Sequence, residues 1–328
     1  MNVVLGTGSW GTTLAIVLAR QHTRVTLLAR GQEEAAALRL AGENSRFLPG
    51  VPFPPSLTVS ADGAILADAE TLTLAVPSEA MPSAVIWAEP LLARQAVVIS
   101  GSKGLAQSDG ARPRRLTELI AGTLPNPVCA LSGPNLAREV ARGLPSTTVV
   151  ASNDPATAAA VQRLFTDRGF RVYTSADVVG VELGGALKNV VALAAGVADG
   201  MQLGDNAKAA LITRGLAEIS RLGRALGAEP LTFAGLAGMG DLVATCASPL
   251  SRNRRLGEAL ASGRGLAEAQ REVGQLAEGV PTTRAAVELA RQAGVEMPIA
   301  QQMHAVLFEG KDPRNAVLDL MQREPKAE

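Results

Sequence analysis

A single charged residue lies within the most apolar part of this chain of 328 residues. Lys188 is the only charge between Leu183 and Ala198, and helical spacing groups it with small apolar residues: Gly184, Gly185, Val191, Ala192 and Ala195. A lysine partly removed from water there is a candidate proton donor and acceptor, which carbonyl reduction needs. The same spacing fits an amine that reaches the surface or pairs with an acid such as Glu182, and periodicity leaves both interpretations open.

A glycine-rich loop, residues 235–241, ends in a carboxylate, Asp241. That carboxylate would orient the Lys188 ammonium or a substrate hydroxyl if the two residues meet in the fold. The alternative is that Asp241 caps a short helix predicted at Leu242–Cys246. Under the first hypothesis, Lys188 and Asp241 form the catalytic pair.

Residues 251–255 read SRNRR and begin another predicted helix. Ser251 is a good N-cap residue, and three arginines within four positions at a helix N-terminus predict a local anion site. A phosphate monoester would suit such a site. The alternative is a solvated basic turn.

Residues 6–11 read GTGSWG, which is the G-x-G-x-x-G pattern of Gly6, Gly8 and Gly11. A predicted strand, Asn2–Leu5, precedes the pattern and a predicted helix, Thr12–Arg20, follows it. Glycines there allow a tight turn and a close approach of the backbone to a pyrophosphate at the helix N-terminus. This context favours a dinucleotide site over a merely tight turn.

The second predicted strand ends in Arg30, 19 residues after Gly11, where an NAD-binding fold usually carries an acid. An arginine there can pair with a 2′-phosphate, so we expect NADP(H) to be accepted and preferred. A solvated arginine at the end of a strand is the alternative.

Two further loops follow predicted strands, at the strand ends where ligands bind in open α/β sheets. They are residues 100–104 with Lys103 and residues 131–135 with Gly133 and Asn135.

Alternating strands and helices must position these residues in the first half of the chain. Strands are predicted at Asn2–Leu5, Arg24–Leu28, Thr71–Val76, Ala96–Ser100, Val128–Leu131, Thr147–Ala151 and Phe170–Thr174. They predict a Rossmann-like parallel sheet covered by helices on both faces. From about residue 178 onward the pattern is helical, with predicted helices at 178–199, 206–226, 252–262, 282–293, 298–308 and 313–322. We therefore expect a dinucleotide-binding domain over residues 1–180 and an all-helical substrate and catalytic domain over residues 181–328.

Composition limits the other functions open to the chain. Lys+Arg and Asp+Glu are both 31, so a chain-wide basic field for nucleic acid is not expected. His22 and His304 are the two histidines, and Cys129 and Cys246 are far apart, so neither a histidine metal site nor a disulfide scaffold is expected. The start of the chain shows no signal peptide, and the 16 residues from Leu183 to Ala198 are too few for a membrane span. We expect a cytoplasmic protein.

Together these motifs resemble the bacterial NAD(P)-dependent glycerol-3-phosphate dehydrogenase family over nearly the whole chain. The segment from the glycine-rich loop to SRNRR is the most specific part of the match. The resemblance rests on GSWGTTLA (8–15), NSRFLPG (44–50), AVPSEAM (75–81), SKGL (102–105), LSGPNLAREV (131–140), ALKNVVALAAG (186–196), GLAGMGDLVATCASPLSRNRR (235–255), AEGVPTT (277–283) and the helix after Asp312-Pro313.

The resemblance implies reversible hydride transfer between NAD(P)H and dihydroxyacetone phosphate, giving sn-glycerol 3-phosphate for phospholipid synthesis. It implies that Lys188 is the proton donor and acceptor, and that the enzyme is a homodimer. The implied substrate-binding residues are Lys103, Gly133, Asn135, Lys188, Asp241, Ser251, Arg252 and Asn253. The implied cofactor-binding residues are Gly6, Gly8, Ser9, Trp10, Gly11, Arg30, Lys103, Ala137, Arg252, Leu276 and Glu278.

The sequence departs from the family pattern in three places. Asn135-Leu136 stands where Ser or Thr followed by a larger side chain is usual, Leu28 replaces a common Trp, and Leu276 replaces a frequent Val.

Two rival functions share most of these sequence features. One is a ketopantoate-type or 3-hydroxyacid reductase, which does not need the SRNRR cluster. The other is a non-catalytic NADP(H) sensor, against which the Lys188 and Asp241 hypothesis argues.

Overall fold

A computed structural model of the protein describes residues 1–21, 24–106 and 112–324. Eight strands form its main sheet. Its strand order is β10-β9-β8-β5-β4-β1-β2-β3. A two-stranded hairpin, β6 and β7, lies outside it. The strands are β1 Asn2–Leu5, β2 Val25–Leu28, β3 Leu57–Ser60, β4 Thr71–Leu74, β5 Val97–Ser100, β6 Leu105–Ala106, β7 Arg114–Arg115, β8 Val128–Ser132, β9 Ser146–Ala151 and β10 Phe170–Ser175.

One pairing differs from the expected parallel sheet, because β8 pairs with β9 antiparallel. The connection between them contains a helix of only five residues, Ala137–Ala141. Such a helix spans about 8 Å, too little to carry the chain back along a strand of about 17 Å for a parallel return. The other neighbouring pairs of the main sheet are parallel, as predicted. The sequence analysis also missed β3 and the hairpin.

Helices cover both faces of the main sheet, as the alternating pattern predicted. One apolar core lies under α1 and α6, and another lies under α3 and α4. The helix α1 begins at Ser9, inside the glycine pattern, earlier than predicted. The helices of this half are α1 Ser9–Ala19, α2 Gln32–Ala41, α3 Met81–Ala88, α4 Leu116–Ala121, α5 Ala137–Ala141 and α6 Pro155–Phe165.

After β10 the described chain is helical, as predicted, and packs around one central helix. These helices are α7 Val178–Gly200, α8 Asp205–Ala225, α9 Pro230–Ala234, a π-helical turn Leu236–Gly240, α10 Asp241–Ala247, α11 Arg252–Ala261, α12 Leu266–Val273, α13 Gly279–Ala293, α14 Pro298–Phe308 and α15 Pro313–Met321. The sequence analysis missed α9 and α12.

The central helix α7 matches the helix predicted at 178–199 and extends beyond the 16-residue apolar stretch within it. It has 23 residues and, in the described part of the chain, it alone is long and apolar enough to cross a membrane. Its most apolar window is 89% buried inside the protein, which identifies it as a core helix by its packing rather than by its length. Glycines let α11 approach it closely, because a Cβ on Gly196 or Gly257 would overlap a backbone carbonyl of the other helix.

Candidate active site

Two amines share one buried carboxylate at the junction of the sheet and the helices. Asp241, 1% exposed, accepts a hydrogen bond at Oδ1 from Lys188 Nζ (2.5 Å) and at Oδ2 from Lys103 Nζ (2.9 Å). Lys188 lies on α7, Asp241 is the first residue of α10, and Lys103 follows β5. Asp241 therefore does not cap α10, whose N-cap residue is Gly240 without a side-chain bond.

Lys188 neither reaches the surface nor pairs with Glu182. The lysine is 6% exposed, and its amine also donates to Thr245 Oγ1 (2.6 Å). Glu182 instead accepts from Arg115 Nη1 (2.9 Å) and from the backbone N–H of Thr117 (2.9 Å), and burial raises the pKa of Glu182. Lys188 is therefore buried, and the acid that it pairs with is Asp241 rather than Glu182.

Thr245 is a site residue that the sequence analysis missed. It lies four residues after Asp241 on the same helix, one turn along, and so shares its face. The spacing of Asp and Thr in DLVAT was the available signal. With Asp241 and Thr245 both accepting from Lys188, the amine is fixed in position and charge-paired.

Burial perturbs the protonation of the Lys103 amine. The pKa of Lys103 is lowered to about 8, mainly by burial and also by the nearby charge of Lys188, while Asp241 opposes both effects. Its amine also donates to the carbonyl oxygen of Gly133 (2.6 Å) and lies 5.9 Å from the centre of the Trp10 ring. Asp241 therefore holds a second buried amine, that of Lys103, beside the amine of Lys188.

Two buried asparagines connect this amine site to the SRNRR segment. Asn189 donates to the carbonyl oxygen of Lys103 (3.2 Å) and accepts from Asn253 Nδ2 (2.9 Å). Asn253 Oδ1 in turn accepts from the backbone N–H of Gly279 (2.9 Å). Asn189 was not predicted as a site residue, although it stands out as an amide within an apolar stretch.

The SRNRR segment holds fewer free arginines than the sequence suggested. Ser251 caps α11 as predicted, with its hydroxyl accepting from the N–H of Arg254 (3.3 Å). The Arg254 guanidinium, however, pairs with Asp199 (2.6 Å) and Glu258 (2.9 Å). The prediction that three arginines form the anion site is wrong for Arg254, because consecutive residues of a helix point in different directions.

A cleft of about 600 Å³ runs from the glycine loop to the SRNRR segment. It is lined by twelve of the predicted residues: Gly8, Ser9, Trp10, Lys103, Asn135, Ala137, Lys188, Ser251, Arg252, Asn253, Leu276 and Glu278. It is also lined by residues that were not predicted, among them Arg46, Phe47, Arg138, Asn189, Thr245 and Arg255. Two ends of one cleft thus hold the predicted dinucleotide and phosphate residues, with the amines between them.

Five predicted residues do not line this cleft. Gly6 and Gly11 form the turn behind the cleft, and Asp241 lies beneath the two amines. The carbonyl oxygen of Gly133 accepts a hydrogen bond from Lys103 Nζ. The side chain of Arg30 is 89% exposed outside the cleft, with its Nε 4.0 Å from Glu34 Oε2.

The glycine loop fits the pyrophosphate of a dinucleotide. Gly6 has φ +119°, which favours glycine, and a Cβ on Gly11 would overlap the carbonyl oxygen of Gly6. A Cβ on Gly8 would meet nothing within 4 Å, so open space faces the loop where α1 begins. Gly8 offers no side chain to cap α1, which leaves the first N–H groups of the helix for an anion.

Glu278 closes the cleft opposite the glycine loop. Its Oε2 accepts from Ser78 Oγ (2.5 Å) and its Oε1 from the backbone N–H of Ser78 (3.0 Å). Burial raises the pKa of Glu278, while Ser78 and Arg252 oppose that rise. Burial also lowers the pKa of Arg252. These contacts tie the loop after β4 to the start of α13.

The amide of Asn135 is held by β9 beneath the cleft. Its Nδ2 donates to the carbonyl oxygen of Thr147 (2.8 Å), and its Oδ1 accepts from Thr148 Oγ1 (3.0 Å). Ala137 contributes its carbonyl oxygen to Thr13 Oγ1 on α1 (3.0 Å). Both positions therefore brace the cleft wall through contacts with neighbouring elements.

The cysteines and histidines are the remaining candidate groups. Burial raises the pKa of both Cys129 and Cys246 to about 12, which keeps the thiols protonated and weakly nucleophilic. His304 Nδ1 lies 2.9 Å from Glu309 Oε1 at the end of α14, and His22 is outside the described residues. Within residues 1–21, 24–106 and 112–324, no three Asp, Glu, His or Cys side chains form a metal-binding group.

Comparison with known proteins agrees with this geometry. A family model described as the N-terminus of NAD-dependent glycerol-3-phosphate dehydrogenase matches residues 2–158, and the model of its C-terminus matches residues 177–318. A glycerol-3-phosphate dehydrogenase [NAD(P)+] of Geobacter metallireducens is 51% identical over 332 residues, covering 99% of this chain and 98% of that protein.

Solved structures show the same relationship. A crystal structure of glycerol-3-phosphate dehydrogenase from Coxiella burnetii superposes with a TM-score of 0.94 at 41% identity, covering 98% of each chain. A ketopantoate reductase from Ralstonia eutropha has a TM-score of 0.62 at 18% identity, covering 97% of this chain and all of that one. The second likeness is one of fold alone.

Proposed function

The chain belongs to the NAD-dependent glycerol-3-phosphate dehydrogenase family and is an oxidoreductase, and from that premise we propose how its residues carry out the reaction. The proposed reaction is the reversible reduction of dihydroxyacetone phosphate to sn-glycerol 3-phosphate, which supplies phospholipid synthesis. The nicotinamide cofactor, when bound, supplies or accepts the hydride. The ketopantoate-type alternative is set aside, because that likeness is one of fold alone.

Lys188 is the proposed proton donor for the developing alkoxide, and the proton acceptor in the reverse direction. The observation that carries this proposal is the buried Lys188–Asp241–Lys103 arrangement at the cleft. Asp241 and Thr245 fix the Lys188 amine, so its positive charge already faces the place where the alkoxide charge develops. Lys103, at the same carboxylate, is proposed to bind the substrate and the cofactor.

The phosphate of the substrate is proposed to bind at the start of α11. Ser251, Arg252 and Asn253 line the cleft there, and exposed Arg255 lines it beside them. A helix N-terminus and guanidinium groups both favour a phosphate dianion. Binding energy from the phosphate would then hold the carbonyl carbon near Lys188.

The dinucleotide is proposed to bind along the other end of the cleft. The Gly6–Gly11 loop would receive the pyrophosphate, and Ser9, Trp10, Ala137, Leu276 and Glu278 would line the site. Arg30 is proposed to pair with the 2′-phosphate of NADP(H), which the protein would prefer, while NAD(H) is also used. Residues 1–180 would form this cofactor domain, and residues 181–328 the substrate and catalytic domain.

NADPH oxidation with dihydroxyacetone phosphate tests the proposal. We expect Lys188→Ala to lose most of kcat while NADPH still binds, since the proton donor is removed and the glycine loop is intact. Lys311→Ala is the matched control, because Lys311 pairs with Asp319 at a distance from the cleft. Near wild-type kcat in Lys188→Ala would overturn the assignment.

A carbonyl substrate without phosphate separates this function from its rivals. We expect ketopantoate and 3-oxo acids to be turned over far more slowly than the phosphate ester, because they cannot use the start of α11. Binding of NADPH with no turnover of any carbonyl would instead support a redox sensor.

The assembly and location of the protein are also part of the proposal. We propose a cytoplasmic homodimer that binds a small phosphorylated substrate and no nucleic acid. The net charge of zero disfavours nucleic acid, and the two buried free thiols fit a reducing compartment. Light scattering at micromolar concentration measures the assembly. A monomer there would overturn the dimer proposal.

A further inference from the structure

A carboxylate reaches the glycine loop from the neighbouring helix. Glu34 Oε1 accepts a hydrogen bond from Thr7 Oγ1 (2.6 Å), and Thr7 lies between the first two glycines of the loop. Glu34 Oε2 accepts from the backbone N–H of Arg30 (3.3 Å). The side chain of Glu34 is 30% exposed, so a ligand at this edge could contact it.

This carboxylate lies where the loops after β1 and β2 meet. Strands β1 and β2 are adjacent and parallel, with Leu5 opposite Leu28, so the loops that follow them lie side by side. In dinucleotide-binding folds, an acid at the end of the second strand binds the ribose 2′-hydroxyl at this point. Here the strand is followed by Ala29 and Arg30, and the acid comes from the first turn of α2.

We propose that Glu34 is a cofactor-specificity residue that accepts a hydrogen bond from the ribose 2′-hydroxyl of NAD(H). This inference rests on the proposed function. Each Glu34 oxygen has one protein donor, and a carboxylate oxygen accommodates a second. Its negative charge repels a 2′-phosphate, whereas the guanidinium of Arg30 attracts one.

Arg30 therefore favours the binding of NADP(H), and Glu34 favours the binding of NAD(H). The Arg30 guanidinium is 89% exposed and 4.0 Å from Glu34, which is a weak pair that a 2′-phosphate can replace. With NADP(H), Arg30 turns to the phosphate; with NAD(H), it stays beside Glu34 while the carboxylate takes the hydroxyl. One site thus serves both cofactors.

The experiment separates this role from support of the helix. Glu34→Gln removes the charge, and Glu33→Gln is the matched control because Glu33 lies in the same first turn and carries the same charge. ADP-ribose and its 2′-phosphate derivative are titrated by calorimetry, so binding is measured without nicotinamide and without turnover. Unfolding temperatures of all variants are measured alongside.

We expect Glu34→Gln to weaken the binding of ADP-ribose by about tenfold or more, because the 2′-hydroxyl then meets a neutral amide instead of a charged carboxylate acceptor. Binding of the 2′-phosphate derivative should be unchanged or tighter, and Glu33→Gln should keep the wild-type ratio. Thr7→Val, which removes the hydroxyl that orients Glu34, should change the ratio in the same direction. Arg30→Ala should weaken only the 2′-phosphate derivative.

Two outcomes overturn the inference in distinguishable ways. If wild type binds both ligands and Glu34→Gln keeps their affinity ratio, Glu34 does not contact the ribose and the cofactor site stands. If wild type binds neither ligand, the proposed cofactor site itself fails, and this inference fails with it.

Discussion

Replacing Asp241 with Asn should destabilise the protein, and the loss should shrink as pH rises. The variant keeps the shape of the side chain but removes the charge shared by Lys188 and Lys103. Two buried amines then face each other, with Thr245 left as a neutral partner for Lys188. The change therefore tests whether Asp241 holds two ammonium groups in the folded protein.

The magnitude follows from the two amines separately. With a pKa of about 8, Lys103 can release its proton at pH 7 for about 1.4 kcal/mol, which limits its share of the loss. Lys188 loses a buried ion pair, which costs about 3–5 kcal/mol. The expected loss in the free energy of unfolding is therefore about 4–6 kcal/mol at pH 7.

The sign of the pH dependence comes from proton binding. The pKa of Lys103 in the folded protein lies below the value of about 10.4 for an unfolded lysine, so its contribution to stability increases as pH rises between the two. Without Asp241 its folded pKa falls further, so that increase begins at lower pH in the variant. At pH 9, Lys103 is mostly neutral in wild type as well. The about 1.4 kcal/mol that Lys103 contributes to the stability loss of the variant at pH 7 is therefore absent at pH 9.

Urea unfolding at pH 7 and pH 9 measures the effect. Asp312→Asn is the control, because Asp312 caps α15 and asparagine caps a helix equally well. That variant should lose little stability, and by the same amount at both pH values. A loss below about 1 kcal/mol in Asp241→Asn at pH 7, or an equal loss at pH 7 and pH 9, would refute the reasoning.

Three further changes follow from the structure. Gly257→Ala should lower the free energy of unfolding by about 2 kcal/mol in urea titration, because its Cβ meets a backbone carbonyl of α7. Burial raises the pKa of Glu218 to about 7, so wild type should lose about 3 kcal/mol as pH rises from 4.5 to 7, and Glu218→Gln should remove that dependence in thermal unfolding. Arg255→Ala should raise KM for dihydroxyacetone phosphate about tenfold or more, while Arg254→Ala should lower the unfolding temperature and leave KM near wild type.

Sequence patterns predicted the elements that carry strong periodicity, and missed those that depend on the rest of the fold. The central helix and the seven predicted strands, of the ten in the described part of the chain, have strong apolar runs of their own. Strand β3 has only the residues LTVS and is held by its pairing with β2. The antiparallel direction of β9 depends on how far a short connection reaches, which no residue pattern expresses.

The site was predictable residue by residue, but its contacts were not. Lys188, Asp241 and Lys103 could each be singled out locally, whereas the shared carboxylate joins residues 138 positions apart. The arginines of the SRNRR segment show that neighbours in sequence can also have different roles in the structure. Arg254 and Arg255 are neighbours in sequence, yet one pairs with Asp199 and the other lines the cleft.

Helix packing sets the distance between the proposed proton donor and the proposed phosphate site. Asn189 follows Lys188 on α7, and Asn253 follows Arg252 on α11, so their hydrogen bond of 2.9 Å fixes the register of one helix against the other. The glycines at the crossing bring the two backbones together and leave no room for a shift. The proposed proton donor and the proposed phosphate site both stand on helices rather than on loops. The protein should therefore select substrates by the distance between their carbonyl and phosphate groups. Loosening the crossing should therefore reduce kcat before it reduces cofactor binding.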